Sequence, residues 1–269
     1  MAQTRPTIAD VRAMKGRKQY TMLRVTSLEE AEAADRAGID MASVTPELIL
    51  DPRFRDAAPG LFAVPGVDFF DVGTADDFIR WSFRLYKASA DALYCSASFE
   101  TVRRLADEGM PIIGHVGLIP SKRTWTGGFR AVGKTAESAL QIMDRVRRYE
   151  TAGAFGAEIE VVPGPIAAEI SRRTPLFMVS MGAGTGCDCQ YLFAEDVLGI
   201  NRGHIPRHAK VYRNFRAEND RLQQERIAAF GEFAADVASG AYPELQHLVD
   251  VEPRELAAFL AEVDQRYPR

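Results

Sequence analysis

Eight short apolar runs, separated by stretches with helical spacing, constrain the fold of this chain more than any other feature. The runs are rich in residues that favour β-strands, and the segments between them repeat apolar residues three and four positions apart. This alternation predicts an α/β fold with a parallel sheet, and eight repeats predict a (β/α)8 TIM barrel. The predicted strands cover residues 20–25, 40–44, 61–64, 92–95, 112–116, 158–161, 176–180 and 190–193.

Length and composition agree with one barrel domain. The chain has 269 residues, of which 46% are hydrophobic, and this suits a single barrel. Charged amphipathic segments over residues 210–269 predict a C-terminal helical extension. Because no linker or internal repeat sets it apart, we predict a single domain over residues 1–269. We expect the extension to act as an arm in a homo-oligomer.

Charge, hydropathy and cysteine content argue against several classes of function. The formal net charge of −4 disfavours a nucleic-acid-binding surface. The first residues lack the pattern of a signal peptide, and no apolar run reaches the length of a membrane span. Three cysteines, an odd number, favour reduced thiols. We therefore expect a cytoplasmic protein with a small-molecule substrate and without nucleic-acid or membrane partners.

Two polar residues in the fifth and sixth predicted strands are candidates for catalysis. His115 ends an apolar run and has glycines nearby at positions 114 and 117. Glu160 lies inside the next apolar run, where an unpaired charge is costly and the pKa of a carboxyl group rises. Active sites of TIM barrels lie at the C-terminal ends of the strands. We predict one shared site, with a hydrogen-bonded core histidine as the alternative for His115.

Two loops are expected at the same end of the barrel. Gly182, Ala183 and Gly184 follow the seventh predicted strand, in a turn able to present backbone N–H groups to an anion. Residues 120–133 form a connection that is long for a barrel, which predicts a lid or a binding loop.

Several of these segments recur together in a known family. The matching segments include residues 111–118, 127–130, 152–155, 160–163, 181–184 and 196–199. In this order and spacing, the chain resembles the ketopantoate hydroxymethyltransferase family, also called 3-methyl-2-oxobutanoate hydroxymethyltransferase, of the phosphoenolpyruvate mutase/isocitrate lyase superfamily.

The resemblance implies an enzyme that acts on a small 2-oxo acid. In this family, removal of the proton beside the carbonyl group gives an enolate, which attacks the methylene carbon of methylenetetrahydrofolate while magnesium holds the negative charge. By the resemblance, Glu160 is the acid/base group and His115 contacts the 2-oxo acid. Gly182, Ala183 and Gly184 match a turn that lines the substrate pocket.

The family's magnesium ligands differ in this chain. Its two metal aspartates align with Pro46 and Pro65, and proline has no side-chain oxygen. We therefore predict no metal at these positions and no certain cofactor. Glu47 and Asp68 follow them and are fallback ligands, although such residues are more often solvated loop carboxylates.

Substrate contacts on the second and fourth strands differ as well. Thr45 lies in the segment that replaces the family's Val-Gly-Asp-Ser motif. Tyr94 and Ser96 lie in the segment that replaces its Lys-Leu-Glu-Gly motif. We predict that Thr45, Tyr94 and Ser96 bind the substrate.

Two functions are open at this point. The first is an enzyme that forms or cleaves a carbon–carbon bond of a 2-oxo acid through an enolate, such as an aldol-type one-carbon transfer, with altered substrate or metal use. Lys122, Arg123 and Arg130 are candidates to replace the charge of the metal, with surface charge as their alternative. The second is a catalytically degenerate paralogue that acts as a binding or partner subunit. Glu160 favours the enzyme, because a buried carboxylate without a role costs stability.

Overall fold

The computed structural model describes residues 4–67 and 72–268, and eight parallel strands within them form one sheet. The strands are β1 (Tyr20–Val25), β2 (Met41–Val44), β3 (Phe62–Pro65), β4 (Leu93–Tyr94), β5 (Ile112–Gly117), β6 (Gly156–Glu160), β7 (Phe177–Met181) and β8 (Cys189–Phe193). Their order in the sheet is β3-β2-β1-β8-β7-β6-β5-β4. The predicted TIM barrel is confirmed.

Among the described residues, one isolated bridge connects β3 to β4 and closes the barrel. Gly66, directly after β3, pairs with Tyr94 of β4. A Cβ atom at position 66 would lie 3.0 Å from the Cβ atom of Tyr94, so glycine allows the two backbones to meet. Tyr94 therefore has a defined place on the barrel wall.

The helices are α1 (Ile8–Ala13), α2 (Leu28–Arg36), α3 (Pro46–Leu50), α4 (Phe54–Ala57), α5 (Ala75–Lys87), α6 (Phe99–Asp107), α7 (Arg123–Thr126), α8 (Ala136–Thr151), α9 (Gly164–Arg172), α10 (Ala194–Leu198), α11 (Phe215–Ser239) and α12 (Pro253–Arg266). The helices up to α10 belong to the same compact unit as the strands, and α11 and α12 follow them in the chain. The hydroxyl groups of Ser27, Thr74, Ser98 and Thr135 cap α2, α5, α6 and α8 by accepting a backbone hydrogen bond. Periodicity did not predict α3 and α4, because four or five residues are too few to show a helical repeat.

Apolar side chains form two layers of core. Inside the barrel, Phe62, Phe155 and Phe177 belong to one cluster, and the last two rings stack with centroids 5.7 Å apart. Val11 of α1 joins this cluster at the N-terminal end of the barrel. The second layer lies between the strands and the helices and includes Ile159 of β6. Since packed side chains fill the N-terminal end, a ligand has access from the C-terminal end.

The described chain divides into two compact units. The first ends at Asn214 and contains the barrel, and the second begins at Phe215 and contains α11 and α12. Phe230, Phe233 and Phe259 of the second unit are exposed. Among the described helices, none combines the length and the apolar character that a membrane span requires. The homo-oligomer stays a prediction.

Candidate active site

A cavity of about 1290 Å³ opens at the C-terminal ends of the barrel strands. Its lining includes Arg24, Ser43, Tyr94, His115, Glu158 and Glu160. Small-molecule sites commonly measure about 300–1,000 Å³. The cavity therefore has room for a small substrate and a second reactant.

The glycine before His115 determines where the imidazole points. Gly114 faces the helix layer, where a Cβ atom would lie 2.3 Å from the ring of Tyr149 on α8. Without a side chain at this position, Tyr149 packs against β5 and donates a hydrogen bond to the carbonyl oxygen of His115 at 3.3 Å. Because side chains alternate along a strand, His115 faces the barrel interior. Its side chain is 6% exposed.

Two glutamates of β6 share this interior with His115. Glu158 and Glu160 are two residues apart, so both lie on the same face of the strand. In the parallel register, His115 pairs with Glu158 and Gly117 pairs with Glu160. Both glutamates are buried. Neither has a lysine or arginine partner among the residues that the structure describes.

The backbone directly after Glu160 has an unusual conformation. Val161 adopts a φ of 49°, which costs energy for a β-branched residue. Its N–H group donates to the carbonyl oxygen of Met181 at 2.8 Å, and its own carbonyl oxygen accepts from Val132 at 3.1 Å. A Cβ atom at Gly117 would lie 2.3 Å from the carbonyl oxygen of Glu160, so glycine is required there as well. The chain thus leaves the sheet at Glu160, and the carboxyl group lies at the cavity.

Tyr94 links the histidine to one of the glutamates. Its hydroxyl group donates to Glu158 Oε2 at 2.5 Å, and its oxygen lies 2.5 Å from His115 Nδ1. When Glu158 is ionised, the single phenol proton is donated to it, and the ring N–H at Nδ1 donates to the Tyr94 oxygen. His115 Nε2 then carries no proton and lies 3.0 Å from Glu160 Oε2. These two atoms are close, but they are not aligned as a hydrogen bond.

Burial controls the protonation of these groups. Desolvation raises the pKa of Glu160 to about 7. Desolvation also raises the pKa of Glu158, although the nearby His115 opposes this shift. The pKa of His115 is lowered, because burial disfavours the imidazolium more than Glu158 stabilises it. A neutral imidazole beside a carboxyl group that titrates near neutral pH is suited to general acid–base catalysis.

Comparison with known proteins identifies the family. The family model described as ketopantoate hydroxymethyltransferase matches residues 65–245, more than half of the chain. The chain belongs to the ketopantoate hydroxymethyltransferase family. The resemblance found in the sequence motifs is thereby confirmed.

Individual members of the ketopantoate hydroxymethyltransferase family match most of the chain. The chain is 29% identical to the 3-methyl-2-oxobutanoate hydroxymethyltransferase of Nitratidesulfovibrio vulgaris (strain DP4), over 97% of this chain and 90% of that protein. It is 30% identical to the enzyme of the same name from Kosmotoga olearia, over 85% of this chain and 92% of that protein. Among solved structures, 2,3-dimethylmalate lyase, a PEP mutase/isocitrate lyase superfamily member, aligns with a TM-score of 0.51 and 13% identity, over 97% of this chain and 99% of that one. This structural likeness supports the same fold.

Pro46 and Pro65, the residues predicted from the sequence to align with the family's metal aspartates, do not fit magnesium. Pro65 ends β3 and is buried, and Pro46 is the first residue of α3. Neither side chain has an oxygen that could bind a hard cation. Of the fallback ligands, Glu47 is exposed and lines the cavity, whereas Asp68 lies outside the described residues.

One other group of potential metal ligands occurs among the described residues. The ligand atoms of His115, Glu158 and Glu160 lie within 4.8 Å of one another. Tyr94 engages His115 Nδ1 and Glu158 Oε2, and His115 Nε2 faces Glu160. In this conformation hydrogen bonds connect Glu158, Tyr94 and His115, and the Nε2 atom of His115 lies near Glu160 without a hydrogen bond to it.

Of the other residues predicted to bind the substrate, four line the cavity and two do not. The lining includes Thr45, Tyr94, Ser96 and Gly182. Ala183 and Gly184 are not among the lining residues. The N–H group of Ala183 donates to the Ser180 hydroxyl at 3.3 Å, and that hydroxyl donates to the carbonyl oxygen of Gly184 at 2.8 Å. These hydrogen bonds lie within the turn. Of the three predicted residues of the turn, Gly182 is the one that lines the cavity.

The three cations predicted on the long loop have different surroundings. Arg123 lines the cavity and lies over the ring of Phe129, 5.6 Å from its centroid. Lys122 donates from Nζ to the carbonyl oxygen of Ser96 at 3.2 Å, and burial lowers its pKa. Arg130 is exposed. Neither Lys122 nor Arg130 is among the residues that line the cavity.

Arg24 and Glu158 are among the polar residues of the cavity that sequence reasoning missed. Glu158 precedes Glu160 by two residues, and the alternation of a strand predicts that both side chains share a face. Arg24 lies on β1 two residues after Met22, whose side chain belongs to the cluster inside the barrel. The same alternation directs Arg24 inward, where it lines the cavity.

Proposed function

We propose that this protein is an enolising enzyme that acts on a small 2-oxo acid. It forms or breaks a bond at C3, the carbon next to the carbonyl group. Glu160 accepts the α-proton, and the electron pair of the broken C–H bond moves to the carbonyl oxygen. The enolate carbon then attacks an electrophilic carbon, as in an aldol-type one-carbon transfer. Because the named relatives are 3-methyl-2-oxobutanoate hydroxymethyltransferases, 3-methyl-2-oxobutanoate is the first substrate to test.

The raised pKa of Glu160 carries this proposal. A general base is most effective when its pKa is close to the working pH, and burial brings the pKa of Glu160 to about 7. The unprotonated Nε2 of His115 lies 3.0 Å away and is placed to share the proton that Glu160 receives. Tyr94 and Glu158 hold the imidazole in the required tautomer.

A binding or partner subunit is the alternative function. It is suggested by the prolines at the family's metal positions. Against it, burial of Glu158 and Glu160 without a cation costs stability, and a subunit that binds a partner elsewhere gains nothing from that cost. This favours an enzyme.

Exchange of the α-proton with solvent deuterium tests the proposal. The protein is incubated with 3-methyl-2-oxobutanoate in D2O, and the C3 proton signal is followed by NMR. We expect exchange by the wild-type protein and a loss of about a hundredfold or more in Glu160→Gln, since an acid–base group contributes about 10²–10⁴-fold. Glu195 is an exposed glutamate of α10, and Glu195→Gln is the matched control that retains the wild-type rate.

The outcomes separate the two functions. An unchanged exchange rate in folded Glu160→Gln, with folding checked by circular dichroism, would remove the base assignment. Failure of the folded wild-type protein to exchange 3-methyl-2-oxobutanoate, 2-oxobutanoate and pyruvate would support the binding subunit.

A further inference from the structure

Arg24 is a cation that β1 places in the cavity. Its register partners are Ser43 of β2 and Phe193 of β8, and its guanidinium carbon lies 5.1 Å from the centroid of the Phe193 ring. Tyr20 and Met22, which precede it at alternate positions, pack inside the barrel. Arg24 forms no ion pair with any residue in the described ranges 4–67 and 72–268.

Buried carboxyl groups line the cavity, and its arginine and lysine residues, Arg24, Arg123, Lys134 and Arg207, are exposed. Of these four cations, Arg24 is the one that a barrel strand holds. Glu158 and Glu160 lie inside the barrel. Whenever one of these glutamates is ionised, it repels the carboxylate of a 2-oxo acid. A substrate of this charge needs a fixed positive group at a distance from the glutamates. Arg24 meets this requirement, because it lines the same cavity from a different part of the wall.

The strand order gives the separation between Arg24 and Glu160. β1 and β6 are separated in the sheet by β8 and β7. Three spacings of about 4.8 Å therefore lie between the two strands along the barrel wall. Both side chains point into the barrel, so a small molecule can contact the guanidinium at one end and the base at the other.

We propose that Arg24 binds the substrate through its carboxylate and the adjacent carbonyl oxygen, in place of a divalent cation. The planar guanidinium presents paired N–H groups that match two oxygens in one plane, and a 2-oxo acid offers such a pair. The positive charge also stabilises the enolate oxygen that forms on the same carbonyl group. This inference rests on the proposed function and assigns its substrate class, an α-oxo carboxylate held without metal.

Calorimetric titration of the full chain with 3-methyl-2-oxobutanoate in the presence of EDTA tests the inference. We expect binding by the wild-type protein, binding about ten- to a hundredfold weaker in Arg24→Met, and intermediate binding in Arg24→Lys, which keeps the charge and loses the fork. Arg207 also lines the cavity and, like Arg24, is exposed, but it lies in a turn and not on a barrel strand. Arg207→Met is therefore the matched control, with nearly wild-type affinity. The ketone 3-methylbutan-2-one, which lacks the carboxylate, should bind the wild type weakly and lose much less affinity in Arg24→Met than the oxo acid loses.

Each contrary result has a distinct meaning. Wild-type affinity in Arg24→Met, or an equal loss in Arg207→Met, would overturn the assignment of Arg24 as a specific anchor. Binding by the wild-type protein that requires added magnesium would show that a metal holds the substrate. Both results leave deuterium exchange by the wild-type protein intact, whereas loss of that exchange is the failure of the proposed function.

Discussion

At the N-terminal end of the barrel, Asp40 and Asp188 each have a lysine partner, whereas Glu158 and Glu160 near the C-terminal end have none among the described residues. Asp188 accepts from Lys15 Nζ at 2.6 Å and from the N–H groups of Gly16 and Met178. Asp40 accepts from Lys18 Nζ at 2.5 Å. All four carboxyl groups are buried.

The difference separates carboxylates that hold the fold from carboxyl groups that exchange protons. An ionised aspartate with a lysine and backbone N–H donors is a fixed junction between segments. Burial raises the pKa of Glu158 and Glu160, and that of Glu160 reaches about 7, so that a proton can leave or return there near neutral pH. The paired aspartates at the N-terminal end thus stabilise the barrel, whereas the glutamates near the C-terminal end carry a stability cost that the proposed function explains.

Removal of a junction at the N-terminal end has the largest expected effect on stability. Asp188→Ala leaves Lys15 without its partner and two backbone N–H groups unsatisfied. We expect the free energy of unfolding to fall by about 3–5 kcal/mol, as for other broken buried pairs. Urea unfolding measures this, with Asp76→Ala as control, because its pair with Arg104 is exposed and worth about 0–1 kcal/mol. Equal losses in both variants would remove the distinction between the junction and an ordinary surface pair.

Neutralisation of Glu160 has a smaller effect of opposite sign. Its pKa is raised from 4.5 to about 7 in the folded protein, so its neutral form stabilises the fold below pH 4.5 and this stability is lost as the pH rises through 7. Glu160→Gln avoids the loss. We expect the variant to unfold like the wild type at pH 4 and to be more stable by about 3 kcal/mol at pH 8. A variant that is less stable at pH 8 would contradict the comparison between the two ends.

Loss of the tyrosine link has the smallest expected effect. Tyr94→Phe removes the hydroxyl that joins His115 Nδ1 to Glu158. His115 can then adopt the other tautomer, so we expect deuterium exchange to slow by about tenfold and its pH midpoint to move. Exchange rates measured from pH 5 to pH 9 check this. A uniform decrease without a change of midpoint would assign Tyr94 a packing role.

Sequence alone predicted the barrel and the placement of His115 and Glu160 at one cavity, and the reason is local. In a parallel barrel, strands that alternate with helices along the chain lie side by side in the same order. The C-terminal ends of β5 and β6 therefore lie next to each other. Arg24 and Glu158 were harder to recognise, because a charged residue within a strand reveals its direction only when the strand boundaries and the facing side are known. The bond of Tyr94 to both His115 and Glu158 depends on the closure of β4 onto β5, which no local pattern encodes.

Direct titration of Glu160 tests the central claim most directly. The protein is labelled with 13C at the glutamate side-chain carboxyl carbons, and the Glu160 signal is assigned by its absence from Glu160→Gln. We expect this signal to titrate near pH 7, because burial without a cation raises the pKa to that value. A midpoint near 4.5, the ordinary value for glutamate, would contradict the account.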